Sequence, residues 1–458
     1  MPKPQIVQSI KSIDELASFC KRTGFVFPSF EIYGGLAGFY DYGPRGVELK
    51  KHLKLVWWKS LVHNREDVVG IDAVTVNHPK VWEASGHVAS FTDPLVDCRN
   101  CKARFRADHL AKDVLDADVA GTPLKEISEL FKKTKVKCPK CKGELTEARK
   151  YNLMFKTHVG PIESEENVAY LRPETAQLIY LNFKLVQEST RLKLPFGIAQ
   201  IGRAYRNEIA PRDFLFRVRE FEQLEMQYFI KPGDNKKYFE YWKKERLTWY
   251  LKLGIKKENI RFREHKKTEL AHYAKAAVDL EYKFPWGWGE IEGIHDRGNW
   301  DLSQHSRFSG KDLSYFDNET KVRIIPNVIE VSAGVDRVLL ALLSEAYTID
   351  KDRIVLNLNS RLAPVKVAFF PLIKKPQLVK LARKVYADLK ENFVCYYEES
   401  GNIGKSYRRM DEIGTPYCIT VDFDSLKKKD VTIRDRNTMK QKRVKISELS
   451  NYLSKNLS

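Results

Sequence analysis

A chain of 458 residues, 43% hydrophobic and 30% charged, has the composition of a folded protein of roughly two to four domains, which excludes a disordered or fibrous one. Its apolar runs fall short of the ~20 residues of a membrane span, and the opening MPKPQIVQSIKSIDEL lacks the apolar stretch of a secretion signal, so a cytoplasmic protein with no membrane attachment is expected. Lys and Arg total 79 against 60 Asp and Glu, and residues 361–458 hold 21 basic against 11 acidic residues, which suits a C-terminal domain meeting nucleic acid or, equally, a merely basic surface.

In chain order, residues 34–46 (GGLAGFYDYGPRG) read as a glycine-rich aromatic loop. Leu49, Leu53, Trp57 and Leu61 recur at four-residue steps and predict a helix with one apolar stripe. Trp57 and Trp58 on it suit the core or a seam between two copies. DVVGIDAVTV (67–76) reads as a strand. Residues 97–143 break the pattern. Cys98 and Cys101 in DCRNC, and Cys138 and Cys141 in KCPKC, flank a polar stretch whose GTPLKEISELFKK predicts a helix. Two CxxC pairs offer four thiolates to a tetrahedral, structural Zn²⁺, with neighbouring lysines tempering the charge; reduced thiols or a redox pair are the alternative. Cys20, Cys395 and Cys418 stand alone and read as buried apolar residues.

From 151 to 360 strands and helices alternate. The segment GRAYRNEIAPRDFLFRVREFEQLE (202–225) predicts two short strands and a loop, crowded with arginines, glutamates and phenylalanines. Alternation places Arg217, Arg219, Phe221, Gln223 and Glu225 on one face of the second strand, and aligns Ala204, Arg206 and Glu208 on the first. Guanidiniums, an aromatic ring and carboxylates on one face fit a ligand with phosphates, a purine and an ammonium, as ATP plus an amino acid provides. A solvated hairpin would explain the charges but not Phe221 among them. RIIPNVIEVSAGVDRVLLALLSEAY predicts a strand, a tight turn at Gly334 and an apolar helix. SRLAP (360–364) reads as a linker to a compact α/β unit. The histidines show no metal-ligand spacing and read as surface residues. The expected domains are 1–96, an insertion at 97–150, 151–360 and 361–458.

RAYRNE followed by FLFRVREFEQLE resembles motif 2 of the class II aminoacyl-tRNA synthetases. With YGGLAGFYDYGPRGVELK, WEASGH, YLRPETAQ, EYKFPWGWGEIEGI, IEVSAGVDR and GKSYRRMDEIGTPYCITVDFDSL, the wording is similar to the dimeric glycyl-tRNA synthetase family over nearly the whole chain. The resemblance implies an α+β fold: an antiparallel-sheet catalytic domain with a zinc-ribbon-like insertion, then a C-terminal α/β anticodon-binding domain. It implies a ligase that joins glycine and ATP into glycyl-adenylate, releases pyrophosphate, and passes glycyl to the 3′ end of tRNA(Gly) with loss of AMP. It also implies Mg²⁺ and a homodimer, with motif 1 in the 47–79 helix, strand and Pro79.

The same resemblance implies roles for single residues. Arg206, Glu208 and Arg337 would be catalytic, Arg206 on the α-phosphate and Arg337 on the outer phosphate. Asn207, Glu208, Ile291 and Gly334 would help fix the nucleotide, Phe216 and Arg217 would close over it, and Phe221 would stack on adenine. Arg106 would face glycine's carboxylate, while Glu174, Glu225 and Glu330 would ring its ammonium beside Phe221, Ser332 and Gly334. Glu290 and Glu330 resemble Mg²⁺ ligands, with service to the ammonium an equal reading for Glu330. Lys405, Tyr407, Arg408 and Arg409 suit tRNA phosphates and base stacking. The alternative is a non-catalytic, class II-like accessory or nucleic-acid-binding subunit, which should have lost the phosphate arginines.

Overall fold

The computed structural model describes residues 8–119, 121–266, 270, 274–399 and 402–457. Seven strands make the central sheet: β1 (Val68–Gly70), β2 (Phe196–Tyr205), β3 (Glu220–Ile230), β4 (Ile260–Glu264), β5 (Ala276–Phe284), β6 (Gly287–Gly298) and β7 (Asn327–Gly334). Their spatial order is β4-β5-β6-β7-β3-β2-β1, antiparallel except for the parallel β2–β1 edge.

The period-two alternation of β3 decides which face does what. Leu224, Met226, Tyr228 and Ile230 point into the main core, together with Ile329, Val331 and Ala333 of β7. Three helices cover that side: α1 (Pro44–Trp58), α3 (Asn235–Leu253) and α5 (Val335–Ala346). On the opposite face, α2 (Ala176–Thr190) and α4 (Trp300–Ser309) cover only the apolar end, around Phe196, Phe229 and Val328. The uncovered end carries Phe221, Gln223 and Glu225.

The hairpin of β2 and β3 is longer than the sequence suggests, at ten and eleven residues. Because β3 begins at Glu220, Arg217 and Arg219 belong to the loop; Arg217 still lines the cavity with Phe221, Gln223 and Glu225, and Arg219 does not. Arg219 turns away and donates to the carbonyls of Glu208 (2.7 and 3.0 Å) and Ala37 (2.5 Å), tying this loop to the glycine-rich loop near residue 38. The expected strand 67–76 is two short strands in different sheets, Val68–Gly70 and Val76–Asn77. Gly70 lies so close to Trp58 that a Cβ would come within 2.2 Å of its ring.

The apolar stripe of α1 is spent on the core. Leu49, Leu53, Trp57 and Leu61 are all buried. Trp57 is therefore not a seam between copies; exposed apolar residues lie on the preceding loop at Phe30, Ile32, Tyr33 and Leu36 and, on the helix itself, at Val47 and Leu55. The insertion has its own small core, built from Val96, Leu110, Ile127 and Phe131. Its sheet of Arg104–Arg106, Thr92–Asp97 and Arg149–Asn152 starts ahead of the expected boundary at 97.

The C-terminal unit is a five-stranded mixed sheet in the order Cys395–Tyr397, Val367–Pro371, Tyr417–Val421, Asp430–Asp435, Gln441–Lys445. One face packs Phe369, Ile419 and Val421 on helices Pro376–Leu389 and Leu449–Leu457. The other face sends Phe370 and Cys418 into the main core, joined there by Met410 of the helix Ile403–Glu412. Buried Asp411 takes Arg353 (2.9 Å) from the catalytic side and Arg434 (2.8 Å) from its own domain. The two domains thus share a core and a buried ion cluster.

Candidate active site

The uncovered face of the sheet forms a cavity of ≈ 210 Å³ with an acidic end and a basic end. At the acidic end β3 supplies Glu225, β7 supplies Glu330 and Ser332, β6 supplies His295 and Arg297, and the segment before α2 supplies Glu174. Gln227 bridges two of the carboxylates, donating to Glu225 Oε1 (2.7 Å) and Glu330 Oε2 (2.9 Å), while Tyr180 fixes the amide by donating to its oxygen (2.6 Å).

The three carboxylates are held differently. Glu330 has His295 Nδ1 on Oε1 (2.7 Å) and Arg297 Nη1 on Oε2 (2.9 Å). Burial opposes its charge, but Arg297 and His295 outweigh burial and hold its carboxyl well below the usual range. Arg297 also donates twice to Asp301, at 2.8 Å each. Glu174 accepts from Gln177 (2.9 Å) and lies 3.4 Å from His87 Nε2. Burial again opposes ionisation, and His87 and Arg297 reverse the outcome. Among the described residues Glu225 is met only by neutral donors: Gln227, Ser332 Oγ (2.8 Å), Thr175 Oγ1 (3.2 Å) and Gln223 Nε2 (3.2 Å). Burial first, then the charge of Glu330, pushes its carboxyl well above the usual range.

The basic end holds Arg206, Arg217 and Arg337. Arg206 donates to the Pro173 carbonyl (3.1 Å) and sits between the rings of Phe91 and Phe221, 5.4 and 5.3 Å from their centroids. Arg337 lies over Phe216 (4.5 Å) and donates to the Phe216 carbonyl (3.0 Å) and to Glu290 Oε2 (2.9 Å). Arg217 is 3.9 Å from Glu208, and both its Nη1 and Glu208 Oε2 are buried without a hydrogen-bond partner. Burial and the nearby Arg106, Arg337 and Arg212 depress the basicity of Arg217, which marks a positive cluster in want of an anion.

Several expected residues fall elsewhere. Arg106 is not in the cavity lining; its guanidinium is spent on Asp93 (2.6 Å) and Asp108 (2.6 and 3.1 Å) at the root of the insertion. The backbone N–H of Asn207 donates to the Leu153 carbonyl (2.7 Å), and the residue is off the lining. Ile291 is 1% exposed in the core behind the sheet. The cause is a bulge in β6, where partners jump from Glu281–Glu290 to Leu280–Glu292, so Glu290 and Gly293 both face the cavity while Ile291 and Glu292 face the core. In the C-terminal domain Arg408 pairs with Asp352 (2.8 Å), Arg409 with Glu398 (2.6 Å), and half-buried Tyr407 bonds Thr420 (2.6 Å) under Arg434. Lys405 is exposed. The histidines are not all at the surface: His295 and His87 serve the carboxylates, and His305, 3% exposed, holds Gln177 at 2.8 Å. His272 lies outside the described residues.

The cysteines come together as their spacing suggests. Their four Sγ atoms lie within 4.8 Å of one another, with Cys98–Cys141 at 3.4 Å and Cys101–Cys138 at 3.7 Å. A tetrahedron with Zn–S bonds of ~2.3 Å has edges of about 3.8 Å, so the donor set fits zinc. Two like turns present them: Cys98 N–H donates to the Ala103 carbonyl (2.8 Å) and Cys138 N–H to that of Gly143 (2.9 Å), with Lys102 and Lys142 left-handed at φ 58° and 61°. At Glu330 the Arg297 guanidinium and the His295 ring already meet the carboxylate, which disfavours a further cation such as Mg²⁺ there. Glu290, bonded to Arg337 through one oxygen and lining the cavity, remains the fitting carboxylate.

An antiparallel sheet with an acidic pocket, an arginine-rich mouth and a C-terminal α/β unit defines a class II aminoacyl-tRNA synthetase. Residues 155–346 match the family described as tRNA synthetase class II core domain (G, H, P, S and T), and residues 366–456 match the Anticodon binding domain. The chain belongs to the glycine–tRNA ligase family. It is 51% identical over 456 residues to the glycine–tRNA ligase of Caldanaerobacter subterraneus subsp. tengcongensis, covering 97% of this chain and 98% of that one. The glycine–tRNA ligases of Geobacillus thermodenitrificans (50%, covering 98% of each chain) and Treponema denticola (49%, covering 96% and 95%) are similar along the same length. The fold is shared with Giardia lamblia prolyl-tRNA synthetase in complex with prolyl-adenylate, at a TM-score of 0.66 and 16% identity over 98% of this chain and 79% of that one.

Proposed function

We propose that this cavity activates glycine with ATP and that the chain then transfers glycyl to tRNA(Gly). The observation that carries the reading is the cavity's polarity: carboxylates at the closed end and arginines, one with a buried nitrogen that makes no hydrogen bond, at the mouth. Glycine's carboxylate is already an anion, so its attack on the α-phosphate needs little proton transfer; positioning and charge neutralisation do the work. Arg206, clamped between two rings and a carbonyl, is the rigid donor for the α-phosphate. Arg217 and Arg337 neutralise the outer phosphates, and the face of Phe221 serves the adenine. Mg²⁺, held by Glu290, would neutralise phosphate charge when bound. Arg106 is not assigned to glycine's carboxylate, since two aspartates hold it.

Glycine is recognised through its ammonium, placed among Glu174, Glu225 and Glu330 beside Ser332. Larger amino acids would be refused by filled space around the ammonium site, where His295, Arg297 and Ser332 line the cavity. Zinc in the four-cysteine site braces the insertion, apart from the reacting groups. Homodimerisation is supported by the exposed apolar loop at Phe30, Ile32, Tyr33 and Leu36, and tRNA binding by the basic C-terminal domain, where exposed Lys405 is the candidate contact. None of the helices among the described residues is long and apolar enough to cross a membrane, and a cytoplasmic place beside tRNA suits the reading. Pyrophosphate exchange into ATP, run with each amino acid in turn and without tRNA, tests it. Exchange with glycine alone is expected. Exchange with another amino acid overturns the substrate, and no exchange in folded, ATP-binding protein overturns activation without tRNA.

A further inference from the structure

Three carboxylates share the acidic end, yet among the described residues only two have a basic side chain within ion-pair distance. Glu330 has Arg297 and His295; Glu174 has His87. Glu225, 1% exposed, has four neutral donors. The charged groups facing this region are Glu330 from β7, His295 and Arg297 from β6, Glu174 from the segment before α2, Asp301 from α4, and His87; on β3 itself its neighbours are the neutral Gln223 and Gln227. The basic side chains among them are already engaged by Glu174, Glu330 and Asp301. A third anion here would face two carboxylates across low-dielectric protein.

We infer that Glu225 carries a proton in the substrate-free protein and releases it to solvent when an amino acid's ammonium enters, a step that rests on glycine being the amino acid activated here. The Ser332 hydroxyl, which donates to Glu225 Oε2 at 2.8 Å, can turn to accept a hydrogen bond from the protonated carboxyl in the free protein and donates again once the carboxylate forms. The balance is simple. A neutral carboxyl and a zwitterionic glycine become a carboxylate–ammonium pair with glycine's carboxylate intact, and one proton leaves. The incoming charge supplies the cation that Glu225 alone lacks. Three consequences follow. The empty pocket avoids a third buried anion. A neutral isostere of the ammonium gains nothing from Glu225. Glycine affinity rises about tenfold per pH unit while the carboxyl stays protonated in the free protein.

The test is calorimetry of the full chain with glycine at neutral pH in two buffers of different ionisation heat, paired with infrared difference spectra. About one proton released per glycine is expected, together with loss of a protonated-carboxyl band on adding glycine. That band should be missing from Glu225→Gln even without glycine, so weak binding by the variant leaves the assignment testable, and its thermal melt checks that it folds. Glycine binding with no proton released overturns the inference. Proton release with no change in the carboxyl band assigns the proton to an imidazole such as His295 and overturns it too. No heat with glycine in either buffer removes the glycine reading itself.

Discussion

Arg217→Met separates a ligand-binding arginine from a structural one. The guanidinium is half-way into the protein, its Nη1 has no hydrogen-bond partner, and Arg106, Arg212 and Arg337 stand close enough to depress its basicity. Methionine keeps much of the apolar stem and removes the charge. A hydrogen bond to a charged group contributes about 1.5–3 kcal/mol, and a factor of ten in rate corresponds to about 1.4 kcal/mol. The kcat/KM for ATP in pyrophosphate exchange should therefore fall roughly 10- to 150-fold, with the glycine KM nearly unchanged. Stability should change little, because losing a buried donor among like charges offsets losing the 3.9 Å ion pair with Glu208. Thermal melts of wild type and variant, with exchange kinetics on the same preparations, give both numbers. A melting point lowered by several degrees with an unchanged ATP KM would refute the phosphate role, since it would mean Arg217 holds the loop together.

Glu174→Gln should raise the KM for glycine far more than that for ATP; equal rises would show general damage to the cavity. Protein purified without chelator should carry about one zinc per chain by elemental analysis, and Cys138→Ser should lose it and open the insertion to proteolysis. Burial lowers and the Glu330 contact more strongly raises the basicity of His295, so its ion pair stabilises fully below the ordinary imidazole pKa of about 6.5 and is lost as pH rises through the higher folded value; His295→Asn should flatten that decline in melting temperature. Lys405→Glu should weaken tRNA charging while leaving pyrophosphate exchange intact. Point substitution is the right probe there, because removing 361–458 would take Phe370, Met410 and Cys418 out of the shared core and leave Arg353 without Asp411.

Where the sequence was legible, short-range periodicity was the reason. Phe221, Gln223 and Glu225 sit two apart, and an unbroken strand keeps them on one face, as does the pair Glu330 and Ser332 on β7. The four cysteines were legible because each turn carries its own pair. What was hidden needed partners distant in sequence. His87 meets Glu174 across 87 positions, and Arg297 meets Glu330 across 33. Neither carries a spacing that marks it. On β6 the alternation itself misleads: an unbroken strand would group Glu290 with Glu292 and Ile294, and Ile291 with Gly293 and His295. The bulge at Ile291 resets the count, sends Glu292 inward to its buried partner Arg246, and returns Gly293 and His295 to the side of Glu290. One extra residue thus lets a single strand present both a phosphate-end carboxylate and the ammonium-end histidine to the same cavity, and a period-two reading of the chain has no means of placing it.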